Sequence, residues 1–204
     1  MTTTVRRTQQ QRREEAEAAL LAAAADLIGE EGVHSLTLAR VGDRAGYSRG
    51  LVSHHFGSKG ALVERLARSA QSGFVPGLEG LPPGLDRLLR LIDGYVNELG
   101  RMDASARAFL LLWAEAATTP ALAAIFQERS QAFRAELCED LVAGMREGAI
   151  RPDVVPDVTA IALLSQLRGI GMQLLSDPGQ ADIHQLRTQV TEVWRRALTR
   201  EAGT

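Results

Sequence analysis

The sequence predicts an all-α protein, with an N-terminal three-helix helix-turn-helix head followed by a C-terminal helical bundle that ends in a dimerising helix hairpin. Three observations carry that reading. Hydrophobic residues fill 45% of the 204 positions, with much alanine and leucine and few β-branched runs, a composition that favours helices. Apolar positions recur at three- and four-residue steps along most of the chain. Glycine and proline gather between these periodic stretches, at 73–84 and at 148–156.

The first periodic stretch is alanine-rich and runs through Leu20, Leu21, Ala23, Ala24, Leu27 and Ile28 to Glu31 and Gly32. An extended-looking Val33-His34-Ser35-Leu36 follows, and then Thr37 offers a hydroxyl to cap a short helix carrying Leu38, Val41 and Ala45. Gly46 suits the left-handed residue that ends such a helix. Ser48 caps the next one, which holds Arg49 and Gly50 in its first turn, Leu51, Val52 and Phe56 as anchors, and Ser53, His54 and His55 as polar groups. Gly57 closes it, and Ser58 caps a third helix that begins at Lys59 and is expected to end near Gln71 or Phe74. Two short helices, a tight turn and a helix that is too polar for core form the outline of a DNA reader.

Beyond the glycine- and proline-rich break, a helix is predicted over Leu85–Leu99, with Leu85, Leu88, Leu89, Ile92, Tyr95, Val96 and Leu99 on one face. A second covers about Ala104 to Ala117 and is apolar nearly all round at Phe109 to Trp113, the mark of a buried helix. Thr119 as cap and Pro120 at the first helical position start a long helix to about Glu147. From Asp157 to Ser176 the chain is apolar on most faces, with Ile161 and Leu164 among its bulky members. The last helix, Ile183 to Leu198, lays Ile183, Leu186, Val190 and Val193 along one stripe, with Trp194 beside it. Such surplus apolar surface in a hairpin predicts a two-fold dimer with a four-helix seam.

The head resembles the TetR family of transcriptional regulators. The match rests on Leu20, Leu21, Ala23, Ala24, Leu27, Ile28, Glu31 and Gly32, and then on Thr37, Ala45, Gly46, Ser48, Gly50, His54, Phe56, Ser58, Lys59 and Leu62. It covers residues 12–66. Leu51, Ser53, His55, Gly42 and Gly60 depart from the residues usual in the family, and the first three alter groove-facing chemistry. The resemblance implies a DNA-binding domain over 1–66 and an effector-binding and dimerising domain over 67–204. It implies a repressor of a palindromic double-stranded operator, released by a small-molecule effector. Thr37, Ser48 and Lys59 are then expected on phosphates, Arg49, Ser53, His54 and His55 at base edges or nearby phosphates, and Gly50 where backbone approaches DNA. Two heads about 34 Å apart, one turn of duplex, would read the two half-sites.

Charge and composition limit the alternatives. The net charge of -2 divides unevenly: residues 1–70 hold ten Lys/Arg against eight Asp/Glu, and residues 71–204 hold thirteen against seventeen. The basic side is therefore N-terminal, led by Arg6, Arg7, Arg12 and Arg13 before any acid. One cysteine, Cys138, rules out an internal disulfide, and the acids Glu136, Glu139 and Asp140 around it disfavour its thiolate. No apolar run is read as long enough for a membrane span, and the Arg- and Gln-rich start lacks a signal peptide's apolar segment. A cytoplasmic protein with no membrane partner is expected. Adjacent His54 and His55 diverge by about 100° on a helix and do not make a metal pair. No phosphate loop or catalytic arrangement is visible, so no enzyme activity, metal or cofactor is expected. A mostly apolar effector pocket with a few polar groups has Tyr95, Phe109, Trp113, Phe133, Gln166 and Met172 as candidates, each of which an ordinary core would also contain. The altered Leu51 and Ser53 leave open a second reading, a helical dimer that binds or converts a small molecule and no longer binds DNA.

Overall fold

The structure, a computed structural model, describes residues 8–69, 75–179 and 181–200. Within them the chain forms α1 (Gln9–Glu31), a 3-10 turn (Val33–Ser35), α2 (Leu38–Ala45), α3 (Arg49–Phe56), α4 (Lys59–Ser69), α5 (Leu85–Arg101), α6 (Ala104–Glu115), α7 (Pro120–Arg146), α8 (Pro156–Ser176) and α9 (Ile183–Leu198). No strand occurs among the described residues. Arg6, Arg7 and the expected end of α4 near Gln71 or Phe74 lie outside them.

The head is set by its caps. Thr37, Ser48 and Ser58 accept the backbone N–H groups of Arg40, Leu51 and Ala61 at 3.2, 3.2 and 3.1 Å, so α2, α3 and α4 start where the sequence places them. Gly46 takes φ 74° and ψ 27°, the left-handed cap that turns α2 into α3. Gly42 explains one departure from the family pattern: a Cβ there would lie 2.7 Å from the carbonyl oxygen of Tyr47 and 3.2 Å from Val52 Cγ2. The turn therefore presses against the α2 backbone. Leu20, Leu27 and Ile28 of α1, Val41, Val52 and Leu62 close the head core beneath these helices.

Two local expectations change. Residues 33–35 form a 3-10 turn, too short to show a period in sequence. Thr119 makes no capping bond to α7; its hydroxyl turns back to Glu115 Oε1 at 3.3 Å, which leaves Pro120 at the first helical position as the start signal.

In the body, α5 packs on α9, α8 and α7, while α6 sits against α1, α7 and α8. Small residues allow close approaches: a Cβ on Gly144 of α7 would meet Ile150 of the following connection at 2.6 Å, and one on Gly171 of α8 would meet Leu110 of α6 at 3.0 Å. α8 corrects the membrane reading, because its 21 residues are long and apolar enough to cross a bilayer. Its buried stripe, Ala160, Leu163, Leu164, Leu167, Arg168, Gly171 and Leu174, instead lies against the neighbouring helices of the body.

Candidate functional site

The short helix α3 stands outward from the head. Ser48, Arg49, Gly50 and His54 are exposed, Ser53 and His55 half-buried, and Thr37 is exposed at the start of α2. The His55 ring lies 6.0 Å from Phe56 and 6.3 Å from His54, edge to face with the latter. Lys59 is tied inward, its Nζ donating to the carbonyl oxygen of His34 at 3.1 Å, which braces α4 against the 3-10 turn.

The head's arginines divide into two kinds. Arg40 binds Glu31, and Arg44 binds both carboxylate oxygens of Glu30 at 3.0 and 2.8 Å. These side-chain hydrogen bonds hold both glutamates below the ordinary carboxylate range and both guanidinium groups above their usual value, and they fasten α2 to α1. Arg49, in the first turn of α3, is exposed and makes no hydrogen bond or ion pair among the described residues. Its charge is the one in the turn motif left for an outside partner.

Of the six pocket candidates, the structure packs five into or against the core and sets one apart. Tyr95 stacks on Phe133 at 6.0 Å with ring planes 16° apart, and Phe109 meets Phe126 at 5.3 Å. Trp113 and Met172 are half-buried against the same core. Gln166 is exposed on the outer face of α8, where its Oε1 accepts the indole N–H of Trp194. It therefore belongs to the hairpin surface. Two shallow surface depressions touch none of the six.

The group that sequence reasoning missed is Arg168. It is 5% exposed, its guanidinium lies 5.6 Å from the Phe109 ring centre and 5.3 Å from that of Trp113, and its Nε has no hydrogen-bond partner. No ion pair or hydrogen bond to it occurs among the described residues. Burial pushes its pKa down; the Tyr95 phenol opposes that, and the charges of Arg129 and Arg134 add to it. Aromatic contact contributes roughly 2 kcal/mol per desolvated cation–π pair, whereas burying an ion costs several kcal/mol. Two ring contacts are of the same order as that cost, but they give the guanidinium Nε no hydrogen-bond acceptor. The sequence signal was present, since Arg168 is the one charged side chain between Asp157 and Asp177.

The hairpin stripe turns out to face two ways. Leu164 and Val190 are buried, and Ile183 and Leu186 are half-buried, Ile183 seated where a Gly100 side chain would be. That edge of α9 packs on α5, and Leu164 lies on the buried stripe of α8, so these four belong to the body's core. The exposed edge holds Val155 (58%), Val158 (63%), Ile161 (47%) and Val193 (55%), with Trp194 half-buried beside them. Cys138 also differs in detail: burial raises its thiol pKa and Asp157, 3.4 Å away, raises it further, in place of the flanking acids.

An all-helical body behind an outward recognition helix defines a helix-turn-helix regulator. Comparison with known proteins agrees: residues 20–66 match the bacterial regulatory proteins of the tetR family, and residues 84–199 match the C-terminal part of BetI-type transcriptional repressors. The chain belongs to the TetR family of transcriptional regulators, whose members are not enzymes. It is 32% identical over 121 residues to the HTH-type transcriptional regulator BetI of Escherichia coli, a stretch covering 56% of this chain and 62% of that protein. The chain thus spans about three-fifths of that relative's length. Among solved structures, a protein of Saccharomonospora viridis assigned as a transcriptional regulator and solved in complex with choline superposes with a TM-score of 0.79 at 20% identity, covering 92% of this chain and all of that one. NalD of Pseudomonas aeruginosa, the secondary repressor of the MexAB-OprM multidrug efflux pump, superposes with a TM-score of 0.69 at 23% identity over 92% and 98% of the two chains. At these identities the likeness is one of fold.

Proposed function

We propose that the protein is a cytoplasmic, homodimeric repressor whose head, residues 1–66, binds a palindromic operator and whose body, residues 67–204, dimerises and takes a small-molecule effector. The observation that carries the reading is Arg49, an exposed and unengaged cation on an outward helix whose neighbouring arginines are neutralised. Thr37 and Ser48, each capping a helix with its hydroxyl oxygen, keep the O–H proton for a phosphate. Lys59 offers phosphate its remaining ammonium protons, since the His34 carbonyl engages one of three. Two copies would meet through Val158, Ile161 and Val193, which the single chain leaves in solvent, and through the half-buried Trp194. Effector class is not carried over from the choline-bound relative, because that ligand belongs to that protein.

Purified protein should retard an inverted-repeat fragment from beside its own gene, with affinity falling steeply as salt rises. Lys59→Ala should weaken all sequences alike and lower the salt slope by about 1, while Arg49→Ala should also relax discrimination between sequences by about 1–3 kcal/mol. Loss of discrimination in both, or binding indifferent to salt, would overturn the assignment of roles.

A further inference from the structure

We propose that Arg168 is the anchor for the anionic group of the effector, and that the effector is an organic carboxylate with an apolar body. The inference rests on the ligand-responsive reading above. A guanidinium on the buried stripe of α8, 5% exposed, with no ion pair or hydrogen bond among the described residues, presents a planar fork of donors that matches a carboxylate. Positive charges reinforce it, because Arg129 and Arg134 lie within electrostatic reach. Aromatic rings, Phe109 and Trp113 directly and Tyr95 and Phe133 nearby, supply an apolar surround. A small hydrated anion would find little there to replace its water; an organic acid buries its body among the rings and its charge on the arginine.

The same geometry argues against a quaternary ammonium. Such a ligand is held on the faces of aromatic rings, and here an internal cation already lies over Phe109 and Trp113. A second positive charge would meet repulsion where it needs attraction. Coupling to the head follows from position, since α6 carries both stacking rings and packs along α1.

The test uses the full chain carrying Trp194→Phe, so that Trp113 alone reports by fluorescence. Probes are straight-chain carboxylates from acetate to dodecanoate, phenylacetate, the primary amide of each, and choline. Carboxylate affinity is expected to rise with chain length, to exceed that of the matching amide at least tenfold, and to vanish in Arg168→Met. Arg168→Lys should retain part of it. Without any probe, Arg168→Met should melt at a higher temperature than the parent, because an unpaired buried charge is replaced by an apolar chain of similar length. The proposal is overturned if no carboxylate perturbs Trp113 at millimolar concentration, if amides or choline bind as well, if Arg168→Met binds carboxylates unchanged, or if that variant is less stable than its parent. These measurements contain no DNA, so failure of the operator experiment with carboxylate binding intact would sink the regulator reading alone.

Discussion

Arg40, Arg44 and Arg49 lie within ten residues of each other and look alike in sequence, yet two are consumed by glutamates of α1 and one is not. That division depends on partners nine and fourteen positions away, so only the folded chain reveals it. Gly42 is the complementary case: its position next to the turn is legible, but its reason is the 2.7 Å approach of the Tyr47 carbonyl. Gly42→Ala should destabilise the head by about 1–3 kcal/mol through overpacking, read as a lower urea midpoint with unchanged helicity at zero denaturant. A second residue-scale prediction concerns Asp140, which is fully buried; its Oδ1 accepts from Gly84 N and Arg87 Nη1, both at 3.1 Å, while Oδ2 has no partner. Burial raises its pKa above the ordinary 3.8, against the opposing Gly84 N–H and Arg87 charge. A raised carboxyl pKa means that the native state binds the extra proton, so this group's contribution to stability declines as pH climbs from 3.8 through the raised value and is constant beyond it. Asp140→Asn keeps an acceptor for Gly84 and removes the titration. Its unfolding free energy should therefore fall less than the parent's as pH rises above 3.8; an unchanged profile would place the pH dependence elsewhere.

At the scale of elements, what could be read from sequence was whatever is local. Caps and the Gly46 turn lie within four residues of the helices they bound, which is why α2, α3 and the starts of α4 and α9 fall where expected. Direction is not local. Periodicity shows that α9 has an apolar stripe, but Ile183 and Val190 meet α5 of the same chain, whereas Val193 points to solvent, and nothing in the spacing distinguishes a neighbour in the chain from a neighbour in another copy. Arg168 is legible as the one charge between Asp157 and Asp177, but its burial is not, because the spacing does not show which face of an apolar helix meets the core. The division of α8 and α9 into a packed edge and an open edge makes a sharp prediction. Ile161→Asp or Val193→Asp should shift the protein to monomer on size exclusion with little loss of helical signal, because each charge remains hydrated in the separated chain. Val190→Asp, 6% exposed, should instead cost several kcal/mol of stability in the monomer itself. If all three behave alike, the open edge is not the seam.

Across the whole molecule, head and body are joined chiefly along two lines, with the 3-10 turn also touching α6. α1 runs against α6, where Arg107 Nε donates to the Gly29 carbonyl at 3.3 Å, and α4 meets α7, where Arg68 pairs with Glu128 at 3.2 Å. With the effector on Arg168, as proposed, the first line would carry the signal, because α6 also carries Phe109 and Trp113 over Arg168; α4, which follows α3 directly, is the transmitter that chain order alone would suggest. An effector held at Arg168 can release DNA only by binding better to the arrangement of heads that misfits the operator. Linkage then requires reciprocity: if effector weakens operator binding by a factor of roughly 5–150, the usual range of such coupling, operator must weaken effector binding by the same factor. Arg107→Ala removes a tie between α6 and α1 without touching the rings or Arg168, so effector affinity of the free protein should hold while the coupling factor falls toward one. The comparison needs two titrations of Trp113 fluorescence, with and without saturating operator, in parent and variant. A variant that loses effector affinity but keeps the full coupling factor would show that α6 shapes the site without carrying its signal, and would return the role of transmitter to α4.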